Sequence, residues 1–450
     1  MSMQGFVPTH DALSPRTALG RLRGIAKALA VYEPAELWEQ DTHSLPPALA
    51  AYRRRLRKFA ETYLRPQALA FDLDPHAPAI RSVLREAALA GYLSDFLPRP
   101  LGSLAWPLAA KPAAWLQSLK VEEFCAACGG LGLLIGANGL GAAPILFSGE
   151  LPGIVRHLLP GYRRSMRGDP YLFAFAITEP GAGSDVEDGH GAKAYRPMTT
   201  ACRVTGGWLL NGRKVFISGG DIANAVTVFA ALENEGLESW TCFLVEKDMP
   251  GFAPVRTEKK MGQRASGAAE LVFDDVFVPD SNVIGGLRQG WAINRAVLNT
   301  SRIPVASIAL GIARGAYESA LAFVAGQSLA GRRLLDYQDV QLSIAQMIVE
   351  LHAMRATVWQ SAAHWRPTQA KASAAKVFCS DSAVRICERA MDLMGNHALR
   401  HGQPEKAFRD ARLTQIYEGT NQINRLAIIE DQMEALLALA NKQHGNGDLT

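Results

Sequence analysis

One carboxylate in this 450-residue chain stands in an otherwise uncharged run: Glu418, within Gln415-Ile416-Tyr417-Glu418-Gly419-Thr420-Asn421-Gln422-Ile423. With no cation beside it in sequence, it is open to desolvation, which raises a carboxyl pKa and suits a general base. An N-cap or a surface position would read the same way. A second segment, Phe175-Ala-Ile177-Thr178-Glu-Pro-Gly-Ala-Gly-Ser184-Asp185, follows an apolar β-type run. Its proline and glycines fix a tight loop whose N–H groups can approach an anion, and Thr178 and Ser184 add hydroxyls. Taken alone it also fits an ordinary hairpin connection. A third segment is Asn211-Gly212-Arg-Lys-Val-Phe216-Ile217-Ser218-Gly219-Gly220.

Other patterns fail on context. Gly130-Leu-Gly132-Leu-Leu-Ile-Gly136 has a dinucleotide-binding spacing with Glu150 downstream, but Val121 to Cys128 before it reads as helix and no βαβ unit surrounds it. Small residues packed on a buried helix account for it. Cys125 and Cys128 have no second pair at zinc spacing and read as buried helical thiols, so no metal site is expected. The basic run Arg53-Arg54-Arg55-Leu56-Arg57-Lys58 reads as the solvated face of a helix.

The elements that must hold these segments come in three blocks. From Pro46 to about Pro170 apolar residues recur at helical spacing, as in Leu56, Phe59, Ala60, Tyr63 and Leu64. Between Tyr171 and Gly286 short β-type runs alternate with turn dipeptides. Cys202-Arg-Val, Trp208-Leu-Leu and Lys214-Val-Phe-Ile, separated by Gly206-Gly207 and Asn211-Gly212, predict successive antiparallel strands, with more at 225–231, 241–246 and 270–278. After Gly290 helices return, with Pro304 near a helix start and Pro367 between two helices. Val340, Ile344, Met347, Ile348, Leu351, Met354 and Val358 form one apolar stripe, and several such helices imply a bundle. The expected domains are an N-terminal extension (1–45), a helical domain (46–170), a β-domain (171–286) and a helical bundle (287–450).

The bulk properties bound the function class. A chain with 48% hydrophobic and 20% charged residues can bury a large core, in roughly two to four domains. A net charge of +4 is too mild to imply nucleic acid, although it suits an anionic ester. Six scattered cysteines fit a reducing compartment. No uninterrupted apolar run is read as membrane-spanning and the first fifteen residues lack a secretory pattern, so a cytoplasmic location is the expectation.

The three segments, in this order and spacing, resemble the acyl-CoA dehydrogenase family over roughly residues 50 to 440. Ala269-Glu-Leu-Val-Phe-Asp-Asp-Val-Phe-Val-Pro279, Asn282-Val-Ile-Gly285 and Arg302 support the match. The resemblance implies an N-terminal all-helical domain, a middle antiparallel β-domain and a C-terminal four-helix bundle, assembled as a homo-oligomer, tetramer or dimer. It implies FAD, with Phe175, Ile177, Thr178, Phe216 and Ser218 at the flavin and Thr420 and Gln422 at its nucleotide part. Ser184, Asn299, Arg302 and Gly419 fall at the substrate, an acyl-CoA or carrier-bound acyl thioester. Glu418 becomes the base that takes the α-proton while the β-hydride passes to flavin N5, giving a trans-2-enoyl thioester. The implied oxyanion donors are the backbone N–H at Glu418 and a flavin ribityl hydroxyl. Electrons would then pass to an electron-transfer flavoprotein.

The base that some members carry on the helix before Arg302 has no counterpart here, because Leu298-Asn-Thr-Ser301 holds no carboxylate. Two positions depart from the family pattern. Gln327 stands where an arginine meets the FAD pyrophosphate, with Arg332 and Arg333 as the nearby cations; Asp392-Leu-Met-Gly395-Asn396 replaces a glutamine-led segment. The alternative readings are an oxidase that uses oxygen and a non-catalytic binding or regulatory protein of the same fold.

Overall fold

The computed structural model describes residues 15–75, 79–184 and 195–445; Asp185 of the second segment lies outside them. The chain divides into two compact units, Met1–Ala50 and Ala51–Thr450. The first carries helices α1 (Pro15–Gly20), α2 (Gly24–Ala30) and α3 (Leu37–His43), and Trp38 and Thr42 of α3 are buried.

Helix α4 (Pro47–Phe59) leads into the second unit, where α5 (Ala68–Leu73), α6 (Ala79–Leu89), α7 (Ala113–Ala127), α8 (Gly129–Phe147) and α9 (Leu151–Ser165) follow. The basic run on α4 is not wholly a solvated face. Arg53 is fully buried, in line with Leu56 and Ala60 at helical spacing, and donates to Glu122 and Glu123 of α7 at 2.8 Å each. Burial of a guanidinium is sustained there because two carboxylates receive it.

The glycine-rich run is the buried helix α8. A Cβ at Gly132 would meet the Cys125 sulfur at 2.4 Å, so the glycine spacing serves close packing against α7. Cys125 lies in α7, whereas Cys128 sits at the break between α7 and α8 in extended backbone. All six cysteines are free. Contrary to the sequence expectation, α8 is long and apolar enough to span a bilayer, as is the 37-residue helix Gly290–Gly326; most of each is buried inside the protein.

The strands are β1 (Phe173–Ala176), β2 (Thr200–Val204), β3 (Gly207–Ile217), β4 (Ala225–Leu232), β5 (Thr241–Glu246), β6 (Phe252–Thr257), β7 (Ala269–Pro279) and β8 (Val283–Ile284). They form one mostly antiparallel sheet in the order β6-β7-β3-β2-β4-β5-β8, with β1 beside β4. The pairings of β4 with β1 and with β2 are parallel, since both reach it by long connections rather than hairpins. Asn211-Gly212 is not a turn. It lies inside the continuous strand β3, opposite a bulge in β7: Leu210 pairs with Val276 and Gly212 with Phe273, so Asp274 and Asp275 face Asn211 alone, and Asp275 has φ +48°. The Asn211 side chain holds the bulge by exchanging hydrogen bonds with Asp275, at 2.8 Å to its carboxylate and 2.9 Å from its N–H.

The last block is α10 (Gly290–Gly326), a hairpin of β9 (Ser328–Leu329) and β10 (Arg332–Arg333), α11 (Gln338–Ala362), α12 (Gln369–Met394), α13 (Gln403–Leu413) and α14 (Asn421–Gly445). Pro304 lies well inside α10, not near its start. The helix continues through it because the flanking residues Ile303, Val305 and Ala306 are buried, which offsets the missing backbone hydrogen bond. The stripe of α11 faces inward: Ile344, Met347, Leu351, Met354 and Val358 are buried. The all-helical, β, helical order expected from the sequence is the observed one.

Candidate active site

Glu418 lies on the short loop between α13 and α14. Its backbone has φ +55° and that of Gly419 +80°, so two successive residues are left-handed. A residue with a Cβ is strained there, by roughly 1–3 kcal/mol, and holds only if its surroundings over-determine it. They do: Lys376 of α12, fully buried, donates to the Gly419 carbonyl at 2.7 Å and to Asn421 Oδ1 at 2.8 Å. Asn424 Nδ2 donates to the same carbonyl at 2.9 Å. Thr420, not Glu418, is the helix cap, its hydroxyl accepting the Ile423 N–H at 3.3 Å. Among the described residues, no acceptor takes the N–H of Glu418 or Gly419, which leaves two adjacent donors for a ligand oxygen.

The Glu418 carboxylate accepts a hydrogen bond from Ser301 Oγ of α10 at 2.7 Å. Burial pushes its pKa up, against the pull of the Ser301 hydroxyl and the cations of Arg302 and Lys376. Arg302 is buried and donates from Nη1 to Ser373 Oγ of α12 at 3.1 Å. It acts on Glu418 through its field. Asn299 is half-buried one helical turn before Arg302. Ser301 and Lys376 are site residues that the sequence does not announce: a hydroxyl or an amine at helical spacing carries no signal of what it will face.

The β-domain segment joins the Glu418 loop directly: Ser184 Oγ accepts the Thr420 N–H at 2.9 Å. Further back, the fully buried Lys214 of β3 donates to the Ile177 carbonyl and to Glu179 Oε1, both at 2.9 Å. Glu179 also accepts the N–H groups of Met198 (2.7 Å) and Thr199 (3.0 Å) and the Tyr195 hydroxyl. Val215 N–H donates to the Thr178 carbonyl at 2.9 Å. Thr178 is thereby pinned between two fixed neighbours. Phe175 packs on Phe229, with ring centroids 5.3 Å apart. Phe216 has φ +59°, a strained backbone for a residue with a Cβ, and is 60% exposed. Thr178 and Ser218 are half-buried.

Acyl-CoA dehydrogenase domains match two stretches of the chain: the middle domain at residues 174–276 and the C-terminal domain at 288–433. The chain is 32% identical to the mouse mitochondrial short-chain specific acyl-CoA dehydrogenase over 422 residues, 92% of this chain and 94% of that one. The chain belongs to the acyl-CoA dehydrogenase family. Butyryl-CoA dehydrogenase from Megasphaera elsdenii is similar in structure, with a TM-score of 0.76 and 27% identity over 90% of this chain and 100% of that one. A solved structure of electron transferring flavoprotein of Acidaminococcus fermentans gives a TM-score of 0.77 and 31% identity, over 86% and 97%. The protein is an oxidoreductase of the acyl-CoA dehydrogenase type.

Within this acyl-CoA dehydrogenase the departures from the family pattern have defined places. Gln327 ends α10 and is exposed, its carbonyl accepting the Leu334 N–H at 2.9 Å. The two nearby arginines are engaged inside the same hairpin. Arg333 pairs with Asp336 at 3.0 Å, and Arg332 stacks on Tyr337 at 4.7 Å and donates to the Asp336 carbonyl. Asp392 is exposed near the end of α12, and Gln422 is exposed on the first turn of α14.

Proposed function

We propose that this acyl-CoA dehydrogenase uses FAD to convert an acyl thioester to its trans-2-enoyl product, with Glu418 as the base. The observation that carries the reading is Glu418 itself: a half-buried residue whose carboxyl pKa is raised by desolvation, on a strained loop clamped by Lys376, beside backbone N–H groups that have no acceptor among the described residues. A base matched to a weak carbon acid needs that environment. As the α-proton leaves to the carboxylate, negative charge grows on the thioester oxygen, and the free N–H at Glu418 is an oxyanion donor already in place. Arg302 and Lys376 add positive field from two sides.

The chain's residues fit a flavin. Phe216 is an exposed aromatic residue on strained backbone; its neighbour Val215 bonds the Thr178 backbone, Ser218 follows two residues on, and Thr178 and Ser218 are both half-buried hydroxyl residues. Phe175, Ile177, Thr178, Phe216 and Ser218 would hold the ring system, and Thr420 and Gln422 its nucleotide part. When bound, FAD supplies the acceptor for the hydride that leaves the β-carbon. Ser184, Asn299, Arg302 and Gly419 would line the thioester. The likeness to the electron transferring flavoprotein structure supports such a flavoprotein as electron partner. Exposed Leu426, Ile429, Met433, Leu436 and Leu437 recur along one side of α14 and support assembly with further copies of the chain.

Protein reconstituted with FAD and mixed anaerobically with acyl-CoA esters of varied length should lose its oxidised flavin absorbance. Glu418→Gln should keep flavin and bind ester, yet reduce flavin about 100-fold or more slowly. Reduction at close to the parental rate, or a parental protein that retains no flavin, would overturn this reading.

A further inference from the structure

The clamp on the base loop fixes the backbone of Glu418 but not its carboxylate. Lys376 and Asn424 both hold the Gly419 carbonyl, and the left-handed backbone at 418 leaves side-chain rotation as the remaining freedom. One direct donor meets the carboxylate among the described residues, Ser301 Oγ at 2.7 Å from Oε2, while Oε1 accepts no hydrogen bond there. We propose that Ser301 is a positioning residue for the base: by donating to Oε2 it sets the carboxylate's rotation and leaves Oε1 as the oxygen that takes the α-proton. This rests on Glu418 being the base.

Ser301 is suited to the task by its own attachment. It sits on α10 next to the buried Arg302, so the hydroxyl approaches from a rigid helix. Its Oγ also lies 3.4 Å from the carbonyl of Leu298, one turn back. The hydroxyl proton can serve only one acceptor at a time. A charged carboxylate at 2.7 Å outcompetes a carbonyl at 3.4 Å; once Glu418 has taken a proton, the carbonyl becomes the better rival. Ser301 thus favours the charged form that must be present before the α-proton leaves.

Other charged and titratable groups act on Glu418: Arg302 on α10 and Lys376 on α12 as cations, and on its own loop the Tyr417 phenol, whose pKa burial raises. Both cations are engaged elsewhere, Arg302 with Ser373 and Lys376 with Gly419 and Asn421. They bias the charge state without fixing which oxygen points where.

Ser301→Ala removes the donor and leaves the clamp intact. The rate of anaerobic flavin reduction should fall about 10-fold or more at the acid end of its pH profile, and the acid limb should move to higher pH. Ser301→Thr, which keeps the hydroxyl, should return the limb to its parental position. A readout independent of turnover is the protonated-carboxyl infrared band of Glu418, identified by its loss in Glu418→Gln and titrated without substrate. Its midpoint should rise in Ser301→Ala. A midpoint and an acid limb both unchanged in Ser301→Ala would overturn the proposal. Failure of the base assignment would appear separately, as Glu418→Gln reducing flavin at the parental rate, and the infrared midpoint would still decide whether Ser301 governs the carboxylate.

Discussion

Glutamine in place of Glu122 should cost this enzyme on the order of 3 kcal/mol of stability near neutral pH, a value that follows from five buried charges. Glu122 and Glu123 on α7 face Arg53 of α4, Arg314 of α10 and Arg355 of α11, and none of the five is more than 3% exposed. Arg53 donates to both carboxylates at 2.8 Å; Arg355 reaches Glu122 at 2.9 Å and Arg314 reaches Glu123 at 2.7 Å. Burial acts to raise the Glu122 pKa, but the guanidiniums of Arg355, Arg53 and Arg314 overcome it and bring the carboxyl from 4.5 down to about 2. Removing one partner of a buried, hydrogen-bonded ion pair costs roughly 3–5 kcal/mol, which sets the size of the expected loss. Because the folded value lies below the unfolded one, this stability is present above the unfolded value of 4.5 and is lost as pH falls towards 2. Glu122→Gln should therefore unfold at lower urea concentration near neutral pH, and its deficit against the parental protein should shrink in acid. Urea titrations followed by tryptophan fluorescence at several pH values measure both. A neutral-pH deficit below about 1 kcal/mol, or one that does not shrink in acid, would refute the argument that the three guanidiniums need both carboxylates.

Lys214→Met should leave Glu179 buried without its cation and loosen the Ile177 and Thr178 backbone, so that FAD content after desalting falls and unfolding occurs about 3 kcal/mol or more sooner. Equal flavin content in the variant would detach Lys214 from the cofactor site. Gln327→Arg restores a cation at the end of α10 and should slow FAD loss during desalting, measured by flavin released on denaturation; an unchanged loss rate would show that this position no longer meets the pyrophosphate. For Glu418→Gln the sign of the stability change is opposite to that at Glu122. The folded pKa of Glu418 is raised by burial, so its contribution is fully present below the unfolded value of 4.5 and is lost as pH rises through the folded value. Glutamine should accordingly raise the melting temperature at neutral pH, with the gain vanishing in acid.

The order of helical and β blocks was legible in the sequence because it rests on hydrophobic periodicity, a local property: the α11 stripe faces inward as the spacing implies. Glu418 was legible for a similar reason, since its uncharged neighbours already foretold desolvation. Where sequence reading went astray, a distant residue had overridden a local rule. Asn211-Gly212 has turn chemistry, yet β7 pairs on both sides of it and carries it through as continuous strand, taking up the mismatch in its own bulge. Arg53 belongs to a run that reads as solvated, yet two carboxylates on another helix draw it inside. Pro304 marks a helix start by propensity, yet its buried neighbours carry α10 through it. The donors to the Glu418 loop also come from far along the chain: Ser301 lies 117 residues and Lys376 43 residues from the atoms they hold. Amino-acid sequence alone could nominate a base from the character of its own surroundings. Only tertiary structure could decide what orients it, because a hydroxyl acquires a partner solely by being carried there on a packed helix.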